Sequence, residues 1–463
     1  MKEKRVAIVG GGVSGLVIGN KLAKAPDRFS FRVFENRARF GGNIHTATVE
    51  TPHGQMIVED GPDSWVAAKP ETEVLARALK LEASIIEPKQ RGVYLLQGDQ
   101  FARMPDGLVL GIPTELRAFL RSPTLSWGAK GRALMEPFVS KQKLYPFEDE
   151  SVASFLRRRL GAAYTDELVA PLLGGVFAGN PEELSMRASF PQLLAAESTS
   201  LVKTFRTARK ARIAKDGRPP ATFFSFKRGM QELIDALVAA LPQTSLALST
   251  EVQSIERTNE KGYPYVVRTS RGPYFADEIV LAGPLGKNGK LLETLDAPLA
   301  AQASSLMGTS NATCVVLAYE RASVGHALDA TGYIVPKPRE DGVIAATFIS
   351  SKWAGRAGDN VALVRFFFGA NAAELEEKEL ISRATKHAAD LLQARNPFFE
   401  KVVRFIGASP IPRVGHLQRL SQLEEGVKRV PGLHLTGAGF MGVGISDSIR
   451  SANHVSDVLW NTL

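Results

Sequence analysis

The chain has 463 residues, of which 44% are apolar and 23% charged. This composition is ordinary for a globular protein, and the length allows two or three domains. Cys314 is the single cysteine, which excludes an intrachain disulfide framework and a cysteine-based metal cluster. The histidines show no metal-binding spacing, so we predict no metal site. We predict neither a membrane-spanning helix, which needs about 18 consecutive apolar residues, nor a signal peptide.

The net charge is +9, from 57 basic and 48 acidic residues. Basic residues are concentrated between Arg117 and Arg228, where Arg157-Arg158-Arg159 forms a continuous run. A solvated helix face explains such a run, and so does attraction to an anionic membrane surface or an acidic substrate. We do not predict nucleic acid as a partner, because no recognition helix, zinc spacing or aromatic RNA-binding signature accompanies the charge.

The first predicted elements form a dinucleotide-binding pattern. A buried strand at Val6–Val9 leads into Gly10-Gly11-Gly12-Val13-Ser14-Gly15 and a helix. In this G-x-G-x-x-G pattern, the first glycine makes a tight turn, the second admits a pyrophosphate and the third packs helix against strand. A second strand, Phe31–Phe34, ends at Glu35, about 20 residues later, where a carboxylate can accept hydrogen bonds from a ribose. The pattern predicts a dinucleotide whose phosphates lie at the helix N-terminus.

Two glycine-containing turns follow the second strand. Arg37–Thr46 contains paired glycines, which let the backbone pass close to a bulky group, and an arginine that can pair with phosphate. Glu59–Trp65 supplies another tight turn. The strings R-x-G-G-x-I-x-T and E-x-G-P-x-S in these turns resemble the FAD-dependent protoporphyrinogen and coproporphyrinogen oxidases, within the amine-oxidase-like flavoprotein superfamily.

The middle of the chain is predicted to be largely helical. A helix at Pro70–Leu81 and a strand at Gln90–Leu96 with a hairpin precede a helical block that extends to about Ala211. This block resembles the helical, membrane-associating domain of the family. Within it, the string G-G-V-F-A-G-N-P-E-x-L-S at Gly174–Ser185 is similar to one in protoporphyrinogen oxidases and not in amine oxidases at large. Locally the string predicts a helix end, a glycine turn and a helix restart at Asn-Pro.

The remaining predicted elements alternate between strands and helices. In chain order they are a helix at Gln231–Leu241, short strands from Leu246 to Ala282, a strand-rich region at Cys314–Phe368, an amphipathic helix at Glu374–Leu392 and a loop at Pro410–His416. The stretch Phe224–Met230 and the helix after it resemble the family's return to the FAD domain. The chain closes with a strand, a glycine-rich loop and a helix from Leu433 onwards. This second glycine-rich helix N-terminus suits the flavin pyrimidine or the pyrophosphate.

The resemblance covers essentially the whole chain and implies an α/β fold. It implies a discontinuous Rossmann-like FAD-binding domain, an inserted mixed α+β substrate domain and a mostly helical membrane-associating domain. The implied divisions are 1–85, 211–290 and 409–463 for the FAD domain, 86–112 and 291–408 for the substrate domain, and 113–210 for the helical domain.

The resemblance also implies which residues bind FAD. They are Gly10, Gly11, Gly12, Val13, Ser14, Gly15, Glu35, Asn36, Arg39, Gly41, Gly42, Asn43, Gly61, Pro62, Asp63, Ser64, Val252, Ala438, Val443, Gly444 and Ile445. In the family, a valine at the position of Val252 holds the adenine edge through its backbone, although an ordinary strand residue there is the alternative.

Three further residues are implied to bind substrate. Arg91 would pair with a propionate, the Gly175 carbonyl would face the pyrrole N–H groups, and Ile334 would pack on the macrocycle. A surface arginine is an equal alternative for Arg91. No catalytic side chain is predicted, because the chain lacks the local signature of a Ser-His-Asp arrangement and the flavin N5 itself accepts hydride.

The resemblance implies oxidation of protoporphyrinogen IX or coproporphyrinogen III to the porphyrin in haem biosynthesis. Six electrons would pass through FAD to O2 in three steps, releasing hydrogen peroxide. Another flavin oxidase, acting on an amine or a polyene, and a non-catalytic flavin or tetrapyrrole carrier remain alternatives. We expect a cytoplasmic protein in peripheral contact with the anionic inner face of the membrane. Contacts with other haem-pathway enzymes and formation of a homodimer are compatible with the family. The sequence does not distinguish a dimer from a monomer.

Overall fold

The structure is a computed structural model that describes residues 3–142, 148–177, 179–217, 221–306, 308–337 and 339–461, with backbone alone at 174–177, 216, 287–288 and 408–409. Its strands are β1 Lys4–Val9, β2 Phe29–Phe34, β3 Thr46–Thr51, β4 Gly54–Glu59, β5 Trp65–Val66, β6 Ile85–Ile86, β7 Tyr94–Gln97, β8 Gln100–Arg103, β9 Leu108–Val109, β10 Ile112–Pro113, β11 Phe223–Phe226, β12 Leu246–Ala247, β13 Val252–Arg257, β14 Tyr265–Thr269, β15 Gly272–Ala276, β16 Glu278–Leu281, β17 Gly308–Glu320, β18 Gly332–Ile334, β19 Val343–Phe348, β20 Val361–Phe368, β21 Phe399–Ile411 and β22 Leu433–Leu435. Its helices are α1 Val13–Leu22, α2 Glu71–Ala78, α3 Leu116–Arg121, α4 Trp127–Leu134, α5 Val152–Leu160, α6 Ala162–Tyr164, α7 Ala170–Phe177, α8 Met186–Ser189, α9 Pro191–Glu197, α10 Leu201–Asp216, α11 Gln231–Ala239, α12 Leu285–Leu292, α13 Ala297–Ser305, α14 Ile349–Lys352, α15 Glu377–Leu392, α16 His416–Lys428 and α17 Ile445–Asn461.

A parallel sheet joins the beginning, middle and end of the chain. Within the described residues it has five strands in the order β12-β2-β1-β16-β22. Val6 and Ile8 of β1 face a cluster that includes α1, α11 and α17, whereas Ala7 and Val9 face a second cluster that includes α12, α13 and α16. Apolar runs buried on both faces are typical of parallel strands covered by helices. The sheet confirms the predicted Rossmann-like α/β core.

A second, larger sheet forms the other main layer. Across the described part of the chain it has seven strands in the order β21-β17-β20-β19-β18-β7-β8, antiparallel except for the β18–β7 pair. We call it the large sheet. One face packs against α15, and the other contacts the β3–β4 hairpin and α14 at one end and the helical block at the other. Cys314 is buried in β17.

The helical block contains α3 to α10 around one apolar cluster. Ser151 caps α5 by accepting a hydrogen bond from the Ser154 N–H. The helix ends at Gly161, whose φ of 94° is in the region that favours glycine, so the predicted helical block is interrupted there. Among the described residues, no helix is both long and apolar enough to cross a bilayer.

The structure gives the three arginines of the run different surroundings. Arg159 is fully buried against Glu136, and Arg158 pairs with Glu150 and Glu197 at 2.6 and 2.5 Å. The third member, Arg157, forms exposed ion pairs with two other carboxylates. Two of the three arginines are therefore held inside the helical block, and the membrane interpretation of the wider basic region stays a prediction. A buried guanidinium requires such partners, because removing an ion from water is costly.

Several predicted element limits also change. The strand predicted from Gln90 begins at Tyr94, and the predicted loop at Pro410–His416 begins inside β21. Gly174 and Gly175 continue helix α7 instead of forming a turn. Ala178 lies outside the described residues.

The helix restart predicted at Asn180 also occurs later than expected. It takes place at Met186, where Ser185 caps α8. The implied domain boundaries at 210, 290 and 408 fall inside α10, α12 and β21. The domain division itself stays a prediction.

Candidate functional site

The N-terminal glycine turn has the geometry that a dinucleotide requires. A Cβ on Gly15 would lie 2.0 Å from the Gly10 carbonyl oxygen, so this glycine permits close packing of α1 on β1. A Cβ on Gly12 would meet nothing within 4 Å, so open space lies over the residue that precedes α1. No side chain caps this helix, and its first turn contains no acid. Val13 and Ser14 are in this first turn, which therefore fits a phosphate group.

Glu35 lies directly after β2, as predicted, and its carboxylate is buried. Its two oxygens accept hydrogen bonds from the backbone N–H groups of Gly11 (3.0 Å) and Arg37 (2.9 Å). Each carboxylate oxygen has a second acceptor site, so a ribose hydroxyl can still be bound there. The exposed Asn36 follows it. The Glu35 carbonyl accepts from Thr250 N–H at 2.8 Å, which brings Val252 at the start of β13 close to the same strand end.

The second glycine turn lies against the first. A Cβ on Gly42 would be 3.4 Å from the Gly12 Cα, and one on Gly61 would be 1.8 Å from the Asn43 carbonyl oxygen. Gly41 has a φ of 112°, which glycine alone adopts easily. Arg39 donates hydrogen bonds to the carbonyls of Phe40, Gly42 and Ile44. In this structure its guanidinium therefore stabilises the turn itself.

The closing loop meets the same place from the opposite end of the chain. Ser14 Oγ donates to the Ser448 carbonyl at 3.3 Å, so the N-termini of α1 and α17 are adjacent. The predicted residues Ala438, Val443, Gly444 and Ile445 lie in the loop and at the first residue of α17. The buried carboxylate of Asp447 accepts from Gly444 N–H at 3.1 Å and pairs with Lys69 at 2.5 Å. Because Asp447 already occupies this helix N-terminus, the pyrophosphate fits α1 better than α17.

The turn at Glu59–Ser64 is surrounded by cations from the large sheet and its connections. Lys352 Nζ and Trp353 Nε1 donate to Asp63 Oδ2 at 2.8 and 2.9 Å. Burial alone would raise the pKa of Asp63, but the Lys352 charge and these hydrogen bonds hold it well below its usual range. Gly61 and the exposed Pro62 lie between the carboxylates, and Ser64 Oγ donates to Asp63 Oδ1 at 2.7 Å.

Glu59 has a different electrostatic environment from Asp63. Its side chain is 2% exposed, and burial raises its pKa from 4.5 to about 7, although Arg356 Nη1 lies 3.3 Å from its Oε1. Thr46 Oγ1 and the Met230 N–H also donate to the carboxylate, at 2.6 and 2.9 Å. The native protein therefore binds a proton at Glu59 in a pH range where the unfolded chain has lost it.

We expect the stabilisation that the protonated Glu59 gives the folded protein to be lost as the pH rises. Because the folded pKa is above the unfolded one, the stabilisation is complete below about pH 4.5 and is lost as the pH passes about 7. The contribution of Glu59 to the free energy of unfolding is at most about 3 kcal/mol. Urea unfolding between about pH 5 and pH 8 should show a flatter pH dependence for Glu59→Gln than for the parent protein. The exposed Glu50→Gln on the same hairpin is the matched control, and an unchanged slope in Glu59→Gln would contradict the assignment.

The predicted substrate residues lie on two sides of one apolar cluster. Ile334 of β18 and Val443 of the closing loop are half-buried and pack against the same cluster as Leu172 of α7. Gly175 continues the same helix. Arg91 precedes β7, its side chain is 48% exposed, and its Nη2 is 3.7 Å from Glu87 Oε2. The structure thus brings the Ile334 strand, the cofactor loop and α7 together and places Arg91 just before β7, the strand that pairs with β18.

Some residues around this site were not identified from the sequence. They are Lys352, Arg356, Arg365 and Lys401 around the turn, Asp447 at α17, and the buried His416, whose Nε2 is 2.8 Å from the Gly439 carbonyl oxygen. The sequence signal that could have indicated these cations is the presence of three carboxylates within five residues of the turn, because buried carboxylates require cations. The sequence does not indicate which cations supply this charge.

Comparison with known proteins shows which proteins this chain is similar to. The flavin containing amine oxidoreductase family matches residues 13–459. The coproporphyrinogen III oxidase of Bacillus subtilis (strain 168) is 27% identical over 99% of this chain and 98% of its own length. The chloroplastic protoporphyrinogen oxidase of Oryza sativa subsp. japonica is 28% identical over 98% of this chain and 88% of its own. A crystal structure from Exiguobacterium sp. 255-15, whose proposed identity is protoporphyrinogen oxidase, matches with a TM-score of 0.85, 26% identity and complete coverage of both chains.

Proposed function

The chain belongs to the family of flavin containing amine oxidoreductases, and from this membership we propose that it oxidises a porphyrinogen to the porphyrin in haem biosynthesis. It is an FAD-dependent oxidoreductase. The observation that carries the substrate proposal is the end-to-end similarity, 27% over 99% of the chain, to a coproporphyrinogen III oxidase. Protoporphyrinogen oxidases are similar over nearly the same length, so both porphyrinogens are candidate substrates.

The proposed reaction removes six hydrogens from the macrocycle in three equivalent steps. FAD, held at the two N-terminal glycine turns, would supply the oxidising chemistry for each step: the macrocycle would give up a hydride from a methylene bridge and a proton from a pyrrole nitrogen, and O2 would take up the two electrons and two protons as hydrogen peroxide. Three O2 molecules thus yield three hydrogen peroxide molecules for each porphyrin. The residues of this chain would bind and orient the macrocycle and exclude water, with no side-chain acid or base assigned.

The contacts expected for the substrate follow from its chemistry. A porphyrinogen has apolar faces and carboxylate arms, so its site needs apolar walls and cations at the rim. Ile334 and Val443 lie on one apolar cluster, while the partly exposed Arg91 lies just before β7, the strand that pairs with β18. This arrangement supports the proposed packing of the macrocycle on Ile334 and the pairing of a propionate with Arg91. The Gly175 carbonyl is the proposed acceptor for the pyrrole N–H groups.

An aerobic fluorescence assay with protoporphyrinogen IX and with coproporphyrinogen III tests the function, using heat-inactivated protein as the control for spontaneous oxidation. We expect faster porphyrin formation than in the control with at least one substrate, and the preferred substrate decides between the dicarboxylate and the tetracarboxylate. Anaerobic bleaching of the flavin by porphyrinogen would exclude a non-catalytic carrier. Bound FAD with no activity on either substrate would reject the proposal and favour an amine or polyene oxidase.

Replacing Arg91 by alanine should weaken substrate binding and leave the flavin content unchanged. Loss of one charge-assisted contact to a carboxylate costs about 1.5–3 kcal/mol, so we expect KM to rise roughly tenfold to a hundredfold. Arg77→Ala is the matched control, because Arg77 is also exposed and also faces a glutamate four residues earlier. Loss of FAD from Arg91→Ala, or an equal KM in both variants, would contradict the role of Arg91.

We also propose that the protein acts in the cytoplasm and makes reversible contact with an anionic membrane. Trp127, Met135 and Phe138 are 72%, 58% and 86% exposed. Trp127 and Met135 are eight residues apart along α4 and its end, a spacing that places them on one face. Arg121 and Lys141 are exposed beside this segment. Exposed aromatic residues next to cations favour the interface of an anionic bilayer. Homodimer formation and contacts with haem-pathway enzymes stay predictions.

Co-sedimentation with vesicles of equal parts phosphatidylglycerol and phosphatidylcholine tests the membrane contact. We expect binding at low salt that weakens at high salt. The double variant Trp127→Ser with Phe138→Ser should bind at least about a hundredfold more weakly, since each buried aromatic side chain contributes about 1.5–3 kcal/mol. Ile406→Ser is the matched control, because Ile406 is 60% exposed on β21. Equal vesicle binding by the double variant and by Ile406→Ser would contradict the proposal that Trp127 and Phe138 contact the membrane.

A further inference from the structure

The turn at Glu59–Ser64 contacts more cationic side chains than it has carboxylates. Arg356 lies beside Glu59, Lys401 Nζ donates to Asp60 Oδ1 at 2.5 Å, and Lys352 Nζ donates to Asp63 at 2.8 Å. These three cations face the three acidic side chains one to one, so they are enough to balance all three even when Glu59 is ionised. Arg365 of β20 is a fourth cation at the same turn.

The hydrogen bonds of Arg365 go to neutral groups. Its Nη1 donates to the Gly61 carbonyl and its Nη2 to the Asp60 carbonyl, both at 2.7 Å, and its Nε lies 3.1 Å from Cys314 Sγ. The residue is 8% exposed, so water screens its charge weakly. Burial alone would lower the pKa of Arg365, but Cys314, Asp63 and Glu59 raise it, so the guanidinium keeps its charge.

Other charged groups near the turn do not cancel this excess. Glu232 also faces Arg356, but it pairs with Arg228 at 3.5 Å. His45 Nδ1 is 2.5 Å from Asp60 Oδ2 and adds positive charge when protonated. Arg39 faces Asp60 as a further cation. With four cations and three carboxylates in contact, the turn carries at least one unneutralised positive charge.

We propose that Arg365 is a positioning residue that fixes the turn for the flavin and supplies an unneutralised positive charge, which favours reduction of the cofactor. The inference rests on the proposed function, in which Gly61, Pro62, Asp63 and Ser64 contact FAD. A flavin gains negative charge when it accepts a hydride, and a nearby positive charge stabilises the reduced form. Two hydrogen bonds to successive carbonyls also fix the turn, which a single ammonium group cannot reproduce.

The test is the midpoint potential of the bound flavin, measured by dye-coupled reduction of the holoenzyme. Arg365→Gln removes the charge, so we expect a more negative potential than in the parent protein. Arg365→Lys keeps the charge, so its potential should stay near the parent value while FAD affinity falls in both variants. An unchanged potential in Arg365→Gln, or an equal shift in Arg365→Lys, would overturn the proposal.

A second variant keeps the test decisive if Arg365→Gln does not fold. Lys401 is 30% exposed and more tolerant of change, and Lys401→Gln lowers the charge of the turn by one. We expect a more negative potential there and no shift in Lys386→Gln, where the lysine is 78% exposed on α15. An unchanged potential in Lys401→Gln would contradict the charge effect. Because the potential is measured without porphyrinogen, absence of porphyrinogen oxidation would reject the proposed function alone.

Discussion

Replacing Gly12 by alanine is expected to abolish most FAD binding while the apoprotein stays folded. The Gly12 backbone has φ −76° and ψ −178°, which alanine also adopts, and its Cβ would meet nothing within 4 Å. The added methyl group would instead occupy the space next to the α1 N-terminus, where a pyrophosphate needs direct contact with the backbone. We expect FAD affinity to fall at least about tenfold, which corresponds to about 1.4 kcal/mol.

Fluorescence titration of the apoprotein with FAD, together with thermal unfolding, measures both effects. Gly128→Ala is the matched control, because a Cβ there also meets nothing but the residue lies in α4 of the helical block. Gly15→Ala should behave differently and destabilise the fold, since its Cβ would lie 2.0 Å from the Gly10 carbonyl oxygen. Normal FAD affinity in Gly12→Ala would show that the open space at this turn is not the cofactor site.

Replacing Arg159 by methionine is expected to cost about 3–5 kcal/mol of the free energy of unfolding, because it leaves a buried carboxylate without its cation. Arg159 and Glu136 are both fully buried and form a direct ion pair. The Glu136 carboxylate also accepts from Ser200 Oγ at 2.6 Å and from Leu201 N–H at 3.1 Å, so it holds the start of α10. Loss of Arg159 therefore affects two helices of the block.

Urea unfolding followed by circular dichroism measures this loss. Arg157→Met in the same run is the matched control, because Arg157 is 39% exposed and its ion pairs are worth less than about 1 kcal/mol. Adding Glu136→Gln to Arg159→Met should recover part of the stability, since no buried charge then lacks a partner. Equal losses in Arg157→Met and Arg159→Met would contradict the assigned difference in burial.

The cofactor half of the site was the most accessible to sequence reasoning. Gly10 and Gly15 have fixed spacing and steric requirements that a single sequence reveals, and Glu35 follows from strand length. The substrate half was less accessible. Ile334 and Val443 are 109 residues apart in the printed sequence, and only the packing of β18 and the closing loop on one cluster brings them together. Their roles toward a porphyrinogen remain predictions.

The arginine run shows why charge in a sequence does not determine its location. Arg157, Arg158 and Arg159 are consecutive, yet successive residues of a helix point in different directions, about 100° apart. Arg159 points into the block towards Glu136, whereas Arg157 points towards solvent. Composition and pattern predicted one shared environment for the run. The helix geometry and the neighbouring carboxylates separate its members.

The amino-acid sequence by itself determined the strand, glycine turn and helix that begin the parallel-sheet core, because periodicity and glycine sterics act over a few neighbouring residues. The flavin family followed from the resemblance of the motif strings to known proteins. Only the tertiary structure decided which cations surround the turn at Glu59–Ser64. Lys352 is 289 residues from Asp63, and Lys401 is 341 residues from Asp60. No local pattern encodes these pairs, because the contact between a carboxylate and its cation depends on how the large sheet packs against the FAD-binding core.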